Sequence, residues 1–340
     1  MIIIDGSEGE GGGQVLRYAC ALSLLTGEAF TIGNIRGGRE KPGLMRQHVT
    51  AIEAACVIGG AECTGLAVGS NSISFRPGRV TPGDYHFAVG TAGSTALVLQ
   101  TVLVPLMLAD APSRLVIEGG THAMAAPPFE FIERTLLPVI NRMGPTISAR
   151  LVRHGFFPRG GGWIEVDIVP AALRPVECAE RGALRRVGAT AVLAGIPFDV
   201  GDRELKTAAK TLPDWPPESF VTRQLPADQG PGNALLLEAV FDNVTEIMSA
   251  FGKIGVPAER LAKTAARRMA GYLACEAFAG PYLQDQLILP FAIAGGGHFS
   301  TVKLSQHTLT AAALVERFLG TGVRFAERED GAILVEVGRS

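Results

Sequence analysis

Cysteine is scarce in this 340-residue chain, and no two of its five cysteines form a CxxC pair. A small, odd and scattered set argues against a disulfide framework and against a zinc site built on thiolates. The first residues, MIIIDGSEGE, also lack a basic start, and their apolar run is too short for a signal peptide. These absences predict a protein of the reducing cytoplasm.

Long uncharged segments are rare as well. Residues 90–109 carry no charge and reach the length of a membrane span, but they contain Gln100, Pro105 and several hydroxyl side chains. A buried core helix is therefore the better prediction for this segment. No membrane partner is expected.

Charge of one sign is not in excess, since the net charge is −2. Extended wrapping of nucleic acid is disfavoured, because it needs a broad basic face. Basic residues are nevertheless clustered locally. Residues 36–48 (RGGREKPGLMRQH) concentrate cations beside glycines, and Arg159 precedes a triple glycine. Guanidinium groups and bare backbone amides suit a small phosphate-bearing end. A solvated charged turn is the alternative.

The standard nucleotide-binding fingerprints are missing, since neither the GK[ST] ending of a P-loop nor a dinucleotide motif is present. Residues 5–14 (DGSEGEGGGQ) nevertheless follow a short apolar strand and open a predicted helix, where glycines can cradle phosphate. A tight strand-to-helix turn explains them equally well. Glu8 and Glu10 lie among these glycines, and a carboxylate beside phosphates commonly holds magnesium. Solvent-facing acids at a helix start are the alternative.

What the chain has in abundance is glycine and proline, 42 and 21 residues, spread between apolar periodic segments. This spread indicates a globular fold with many tight turns and not a disordered chain. The 47% hydrophobic content is enough for a large core, and the length fits two domains better than one.

A coarse internal repeat organises the sequence. Aligning Phe30 with Ser113 and Phe299 superposes three polar residues, each on an otherwise apolar helix: Arg17, Gln100 and Gln286. Three similar α+β units are therefore predicted, with these polar residues converging on a central site. Chance alignment is the alternative, because the identities are few. Between residues 182 and 274 the pattern changes, which indicates an inserted smaller α/β segment.

A lone histidine stands out near the end of the chain. Apolar residues 285–294 predict a buried helix, three glycines end it, and residues 299–304 predict a short strand. His307 then lies in a polar loop ahead of a helix predicted over 311–319. A neutral imidazole, with an ordinary pKa near ~6.5, can act as a nucleophile without a separate base. A surface histidine without a role is the alternative.

One segment resembles a known family. Residues 154–164, HGFFPRGGGWI, are similar to the signature H/R-G-x-x-P-x-G-G-G-x-aliphatic of the RNA 3'-terminal phosphate cyclases. Similar segments run through the whole chain: DGSEGEGGGQVLR, IRGGREKPGLMRQH, GTAGSTALVLQ, EGGTHAMAAPP, YLQDQ and the SQH loop. The chain is therefore identified as a member of the catalytic branch of this family.

The resemblance implies an ATP-dependent reaction in three steps. His307 attacks the α-phosphorus of ATP and expels pyrophosphate, AMP then passes to an RNA 3'-phosphate, and the neighbouring 2'-hydroxyl displaces AMP. The product is a 2',3'-cyclic phosphate end. Glu10 would hold Mg²⁺ or Mn²⁺ on the ATP phosphates.

The resemblance also implies two sets of binding residues. The first engages phosphates of ATP or of the RNA end and consists of Arg17, Arg36, Arg39 and Gln47. The second holds the rest of ATP: Gln100 as a contact, Tyr282 and Pro127 as a sandwich for adenine, and Asp285 and Gln286 alongside. The chain departs from the family pattern here, because Pro127 is followed by a second proline and Glu130 replaces a common aspartate.

The implied fold is α+β. Residues 1–181 and 275–340 would form a large domain of repeated units, each with two helices and a four-stranded sheet, as in enolpyruvyl transferases. Residues 182–274 would form an inserted small α/β domain of thioredoxin-like topology, whose apolar strands suggest a homodimer. Two other functions are the alternatives: a non-enzymatic RNA-binding or ribosome-assembly relative, which lacks the nucleophilic histidine, and an enolpyruvyl transferase, which has six units.

Overall fold

The computed structural model describes residues 1–338, and these form four four-stranded sheets packed against helices. The elements of the first sheet and its helices are β1 (Ile2–Asp5), α1 (Gly13–Thr26), β2 (Phe30–Gly33), α2 (Arg46–Gly59), β3 (Glu62–Thr64) and β4 (Ile73–Arg76). The two helices end at Gly27 and Gly60, which adopt the left-handed backbone conformation. Glycine suits these positions because this conformation strains residues that have a Cβ.

The second sheet repeats this order of elements. They are β5 (Asp84–Ala88), α3 (Thr95–Leu106), β6 (Ser113–Gly119), a helical stretch made of α4 (Phe129–Phe131), a π turn (Ile132–Leu136) and α5 (Leu137–Arg142), then β7 (Thr146–Arg153) and β8 (Gly162–Val169). Every residue of α3 except Gln100 is buried, so the uncharged segment is a core helix as predicted. Over residues 1–338, no helix is both long enough and apolar enough to cross a membrane.

The third sheet is completed by the end of the chain. Its elements are β9 (Glu177–Cys178), α8 (Gln284–Ile293), β14 (Gly297–Thr301), α9 (Gln306–Leu319), β15 (Gly322–Glu327) and β16 (Ile333–Gly338). The three strand orders correspond, as β1-β2-β4-β3, β5-β6-β8-β7 and β9-β14-β16-β15. In each sheet the first two strands are parallel and the remaining neighbours antiparallel. The predicted mixed α+β architecture is confirmed.

The segment between β9 and α8 forms the fourth sheet. Its elements are β10 (Leu184–Ala194), α6 (Phe198–Thr211), β11 (Phe220–Leu225), β12 (Gly232–Phe241), β13 (Thr245–Phe251) and α7 (Ala258–Leu273). The strand order is β11-β10-β12-β13, with β10 and β11 parallel and the other neighbours antiparallel. The sequence did not predict β13, whose short run carries the buried Glu246.

The loop of the signature segment lies against this inserted segment. Phe156 packs into a small apolar cluster with Val192, Ala194, Leu225, Ala234 and Leu236. Arg159 donates to the carbonyl oxygen of Gly230 at 3.1 Å. Arg159 therefore makes a contact between two parts of the chain, and its binding of phosphate stays a prediction.

Candidate active site

His307 lies at the start of a helix and not in a loop. The helix α9 begins at Gln306, about one turn earlier than predicted, because Ser305 caps it by accepting from the backbone N–H of Thr308 at 3.1 Å. Thr308 in turn donates to Gln284 on α8 at 2.7 Å. His307 is therefore held in the first turn of α9, with part of its ring open to solvent.

The Nδ1 edge of His307 faces Gln14, a buried residue in the first turn of α1. His307 Nδ1 is 2.9 Å from Gln14 Oε1. The amide nitrogen of Gln14 donates to the carbonyl oxygen of His307 at 3.1 Å and to Asp285 Oδ2 at 3.0 Å. Gln14 is not among the site residues predicted from the sequence, although it is the last residue of the glycine-rich segment 5–14.

Electrostatics keep the ring of His307 neutral. Partial burial lowers its pKa, the Glu10 carboxylate opposes that shift, and Arg17 and Arg39 reinforce it. The neutral form is the one with a lone pair to donate, so His307 is available as a nucleophile at neutral pH.

Glu10 and Arg39 form an ion pair beside this histidine. Arg39 Nη2 contacts Glu10 Oε1 and also donates to the Glu10 carbonyl oxygen at 3.0 Å. The Glu10 backbone N–H donates to Thr310 Oγ1 on α9 at 2.8 Å, which ties the glycine-rich loop to the helix of His307. The second carboxylate oxygen, Oε2, is buried and has no hydrogen-bond partner among residues 1–338.

Two glycines allow the charged side chains to approach the backbone. A Cβ on Gly12 would lie 2.5 Å from Glu10 Oε1 and 2.8 Å from Arg39 Nη2. A Cβ on Gly13 would lie 2.5 Å from His48 Nε2 and 3.0 Å from Arg17 Nη1. The glycines are needed here because side chains fill the space that a Cβ would take.

His48 is a second neutral histidine in this region. Its Nδ1 accepts from the backbone N–H of Met45 at 3.0 Å, so the ring proton lies on Nε2, next to Arg17. Burial, Arg17 and Arg36 lower the pKa of His48 to about 3. Arg17 makes no hydrogen bond or ion pair within the range 1–338; burial lowers its pKa, and the carboxylates of Asp285 and Glu10 oppose that shift.

Arg36 and Gln47 lie on the loop and helix that follow β2. Arg36 Nη1 donates to the carbonyl oxygens of Lys41 and Gly43, at 2.6 and 2.9 Å, and so closes its own loop. Gln47 lies in the first turn of α2 and against Gly93, where an added Cβ would be 3.2 Å from its Oε1.

The three polar residues at equivalent repeat positions do converge. Arg17, Gln100 and Gln286 line one cavity between α1, α3 and α8, and Gln100 Nε2 donates to Gln286 Oε1 at 2.7 Å. The cavity measures about 40 Å³, which is room for water.

Of the two residues predicted to sandwich adenine, Tyr282 lies just before α8, and Pro127 lies just before α4. Tyr282 is half-buried, and its hydroxyl accepts from Arg268 Nη1 at 2.8 Å. Its ring meets the edge of Phe131, with centroids 6.3 Å apart, in the helical stretch that follows Pro127. The backbone carbonyl of Tyr282 accepts from Gln286 Nε2 at 2.7 Å.

Glu130 anchors the loop that carries Pro127. Its Oε2 is 2.9 Å from His122 Nε2, and both side chains are buried. Burial alone would raise the pKa of Glu130, but His122 outweighs it and the pKa falls to about 2. The longer carboxylate at this position therefore forms a buried hydrogen bond with His122.

This pair belongs to a cluster with His154, whose ligand atoms lie within 4.8 Å of those of His122 and Glu130. The rings of His122 and His154 are stacked, with centroids 5.1 Å apart and an interplanar angle of 21°. Lone pairs of imidazole lie in the ring plane, so those of stacked rings run side by side and do not converge on one metal position. The cluster is a link between loops, and His154 Nδ1 extends it to Gln229 at 3.2 Å.

Comparison with known proteins identifies the family of this chain. The family model described as RNA 3'-terminal phosphate cyclase matches residues 8–325. A protein of Koribacter versatilis (strain Ellin345) named RNA 3'-terminal phosphate cyclase is 50% identical over 98% of this chain and 94% of its own length. Proteins of the same name from Ralstonia nicotianae (strain ATCC BAA-1114 / GMI1000) and Ectopseudomonas mendocina (strain ymp) are 46% and 45% identical, each over 99% of this chain and over 97% and 98% of their own lengths. Because the family model and these relatives match almost the full length of the chain, the chain belongs to the RNA 3'-terminal phosphate cyclase family.

Proposed function

We propose that this protein is an ATP-dependent RNA 3'-terminal phosphate cyclase, which converts an RNA 3'-phosphate to a 2',3'-cyclic phosphodiester and releases AMP and pyrophosphate. The observation that carries the proposal is a neutral, partly exposed His307 grouped with Glu10, Arg17 and Arg39 in a chain of this family. A nucleophile, an acidic group with a free oxygen and two guanidinium groups are the parts that phosphoryl transfer requires.

The first step forms a covalent histidine–AMP intermediate. The lone pair of His307 attacks the α-phosphorus of ATP, a nitrogen–phosphorus bond forms, and the bond to the bridging oxygen breaks as pyrophosphate leaves with the electron pair. Arg17 and Arg39 neutralise charge that develops on the phosphate oxygens. Catalysis here depends mainly on positioning and on charge, which the rigid helix starts of α1 and α9 supply.

A divalent cation fits the acidic group. The unpartnered, buried Oε2 of Glu10 is an open ligand, and Mg²⁺ is commonly held by one or two carboxylates together with substrate phosphates. We propose that Glu10 holds Mg²⁺ or Mn²⁺. When bound, the cation would neutralise charge on the ATP phosphates and ease the departure of pyrophosphate.

The second and third steps act on the RNA. An oxygen of the RNA 3'-phosphate attacks the phosphorus of the histidine-bound AMP, and His307 recovers its lone pair. The 2'-hydroxyl then loses its proton to solvent and attacks the 3'-phosphorus. The ring closes as the bond from this phosphorus to the AMP oxygen breaks, and AMP leaves with the electron pair. Arg36 and Gln47 flank the site and are proposed to orient phosphates of ATP or of the RNA end.

The remaining nucleotide contacts are proposals of the same kind. Tyr282 and Pro127 are proposed to sandwich the adenine, since an aromatic face is a suitable surface for a purine. Gln100, Gln286 and Asp285 would lie alongside. The support is their convergence: Gln286 bonds to both Gln100 and the Tyr282 carbonyl oxygen.

We further propose that residues 1–181 and 275–340 form one large domain of enolpyruvyl-transferase-like units, and that residues 182–274 form an inserted domain. The βαβ connection followed by an antiparallel hairpin and a helix supports a thioredoxin-like description of the insert. Helices α6 and α7 pack against its strands. The expected homodimer stays a prediction, for light scattering. A cytoplasmic location likewise stays a prediction, for cell fractionation.

The test is intact-protein mass spectrometry after incubation with ATP and Mg²⁺. We expect an acid-labile gain of one AMP in the wild type and in His86→Ala, an exposed histidine used as a control, and none in His307→Ala. A 3'-phosphorylated RNA oligonucleotide should then become resistant to phosphatase. Folded, metal-loaded protein free of pre-bound AMP that forms no adduct and does not cyclise RNA would instead favour the non-enzymatic RNA-binding function.

A further inference from the structure

Gln14 makes three hydrogen bonds that surround the nucleophile. It is 1% exposed and connects the first turn of α1 to the first turn of α9 and to α8. Its partners are His307 Nδ1, the His307 carbonyl oxygen and Asp285 Oδ2, at 2.9, 3.1 and 3.0 Å. A fully buried amide with this many partners has one orientation.

That orientation determines where the proton of His307 lies. A backbone carbonyl can only accept, so the group facing it must be the NH₂ of Gln14. Reversing the amide would place two oxygens against each other and an NH₂ against the ring nitrogen. The oxygen of Gln14 therefore faces Nδ1, and Nδ1 must donate to it. In the neutral ring, the lone pair is then on Nε2.

We propose that Gln14 is a positioning residue which holds His307 in the tautomer with Nδ1–H, so that Nε2 is the atom that accepts AMP. That Nε2 accepts AMP rests on the proposed function. The tautomer itself follows from the contacts of the protein alone. The charged groups that face the ring are Glu10, Arg17 and Arg39, and Asp285 acts through Gln14.

The amide also suits both covalent steps. As the Nε2 lone pair forms the bond to phosphorus and pyrophosphate leaves, the ring gains a positive charge that it shares with Nδ1–H. The proton stays on Nδ1 and remains bonded to Gln14 Oε1. A neutral amide stabilises this cation less than a carboxylate would. The ring therefore remains a good leaving group when the RNA phosphate attacks.

The experiment compares Gln14→Met, which keeps the volume of the side chain and removes the amide, with Gln14→Glu. The control is Gln229→Ala, which removes a glutamine from Nδ1 of a different histidine. Nitrogen-15 NMR of labelled protein reports the tautomer of His307, assigned with His307→Ala. Single-turnover adenylylation separates the chemical rate from ATP affinity, and denaturation confirms that each variant folds.

We expect the wild type and Gln229→Ala to show Nδ1–H on His307. Gln14→Met should lose this fixed tautomer and slow adenylylation by about 10–100-fold with little change in ATP affinity, as for other groups that orient a histidine. Gln14→Glu should give a longer-lived adduct and slower transfer of AMP. An unchanged tautomer and rate in Gln14→Met would overturn the inference. Absence of any adduct in the wild type would refute the proposed function, yet the NMR result would still decide the tautomer.

Discussion

The space beside Gly13 offers a sharp test of the site, through Gly13→Ala. Replacing glycine by alanine within a helix normally stabilises the protein by about 1 kcal/mol. Here the new Cβ would lie 2.5 Å from His48 Nε2 and 3.0 Å from Arg17 Nη1. His48 cannot yield easily, because it is buried and bonded to the Met45 N–H. Overpacking of this kind costs about 1–3 kcal/mol, so the net loss of stability is expected to be about 0–2 kcal/mol.

The effect on activity should be larger than the effect on stability. Arg17 must move away from the new methyl group, and a displacement of about 1 Å in a catalytic site can cost about 100-fold in rate. The matched control is Gly271→Ala on the exposed face of α7, where an added Cβ meets nothing within 4 Å. That variant should gain about 1 kcal/mol and keep full activity.

Urea denaturation and single-turnover adenylylation of both variants provide the assay. A Gly13→Ala protein that is as stable as Gly271→Ala and as active as the wild type would refute the reasoning. It would mean that His48 and Arg17 do not occupy the space beside the start of α1.

Three further predictions concern the N-cap residue Ser305, the buried Glu246, and Tyr282, which is proposed to stack on adenine. Ser305→Ala should cost about 1 kcal/mol of stability and slow adenylylation by loosening the turn of His307, whereas Ser305→Asp should restore both, as measured by denaturation and adduct formation. Burial raises the pKa of Glu246 to about 8, so the folded state retains a proton that the unfolded state loses above about 4.5. Stability should therefore fall from pH 4.5 to 8, by at most about 1.4 kcal/mol per pH unit, and urea denaturation of Glu246→Gln should show a flatter profile. Tyr282→Ala should raise the KM for ATP roughly tenfold or more, since stacking on a base contributes about 1–3 kcal/mol, while Tyr282→Phe, which loses only the bond to Arg268, should not.

Much of the fold follows from local patterns. The uncharged run around Gln100 predicted a buried helix because its apolar residues are continuous, and α3 is that helix. The alignment of Phe30 with Ser113 and Phe299 reflects strands at corresponding places in three sheets of one strand order. Periodicity is visible in a sequence because neighbouring residues on one face share one environment.

The misses have physical causes too. The start of α9 was placed too late because polar residues were interpreted as a loop, although Ser305 followed by Thr308 fits an N-cap. The strand β13 escaped notice because a glutamate in a short segment argues against burial, yet Glu246 is fully buried and accepts from the Gly280 N–H at 3.1 Å. That contact joins residues far apart in the chain.

The sequence by itself determined the family, the repeated units and the identity of the proposed nucleophile, because long specific motifs and hydrophobic periodicity are properties of the chain order. Only the tertiary structure decided how the site is built. Gln14 meets His307, Glu10 meets Thr310 and Gln100 meets Gln286 across 293, 300 and 186 positions of the chain. Such contacts depend on how α1, α3, α8 and α9 pack, and packing is set by the shapes of all the side chains in the core together.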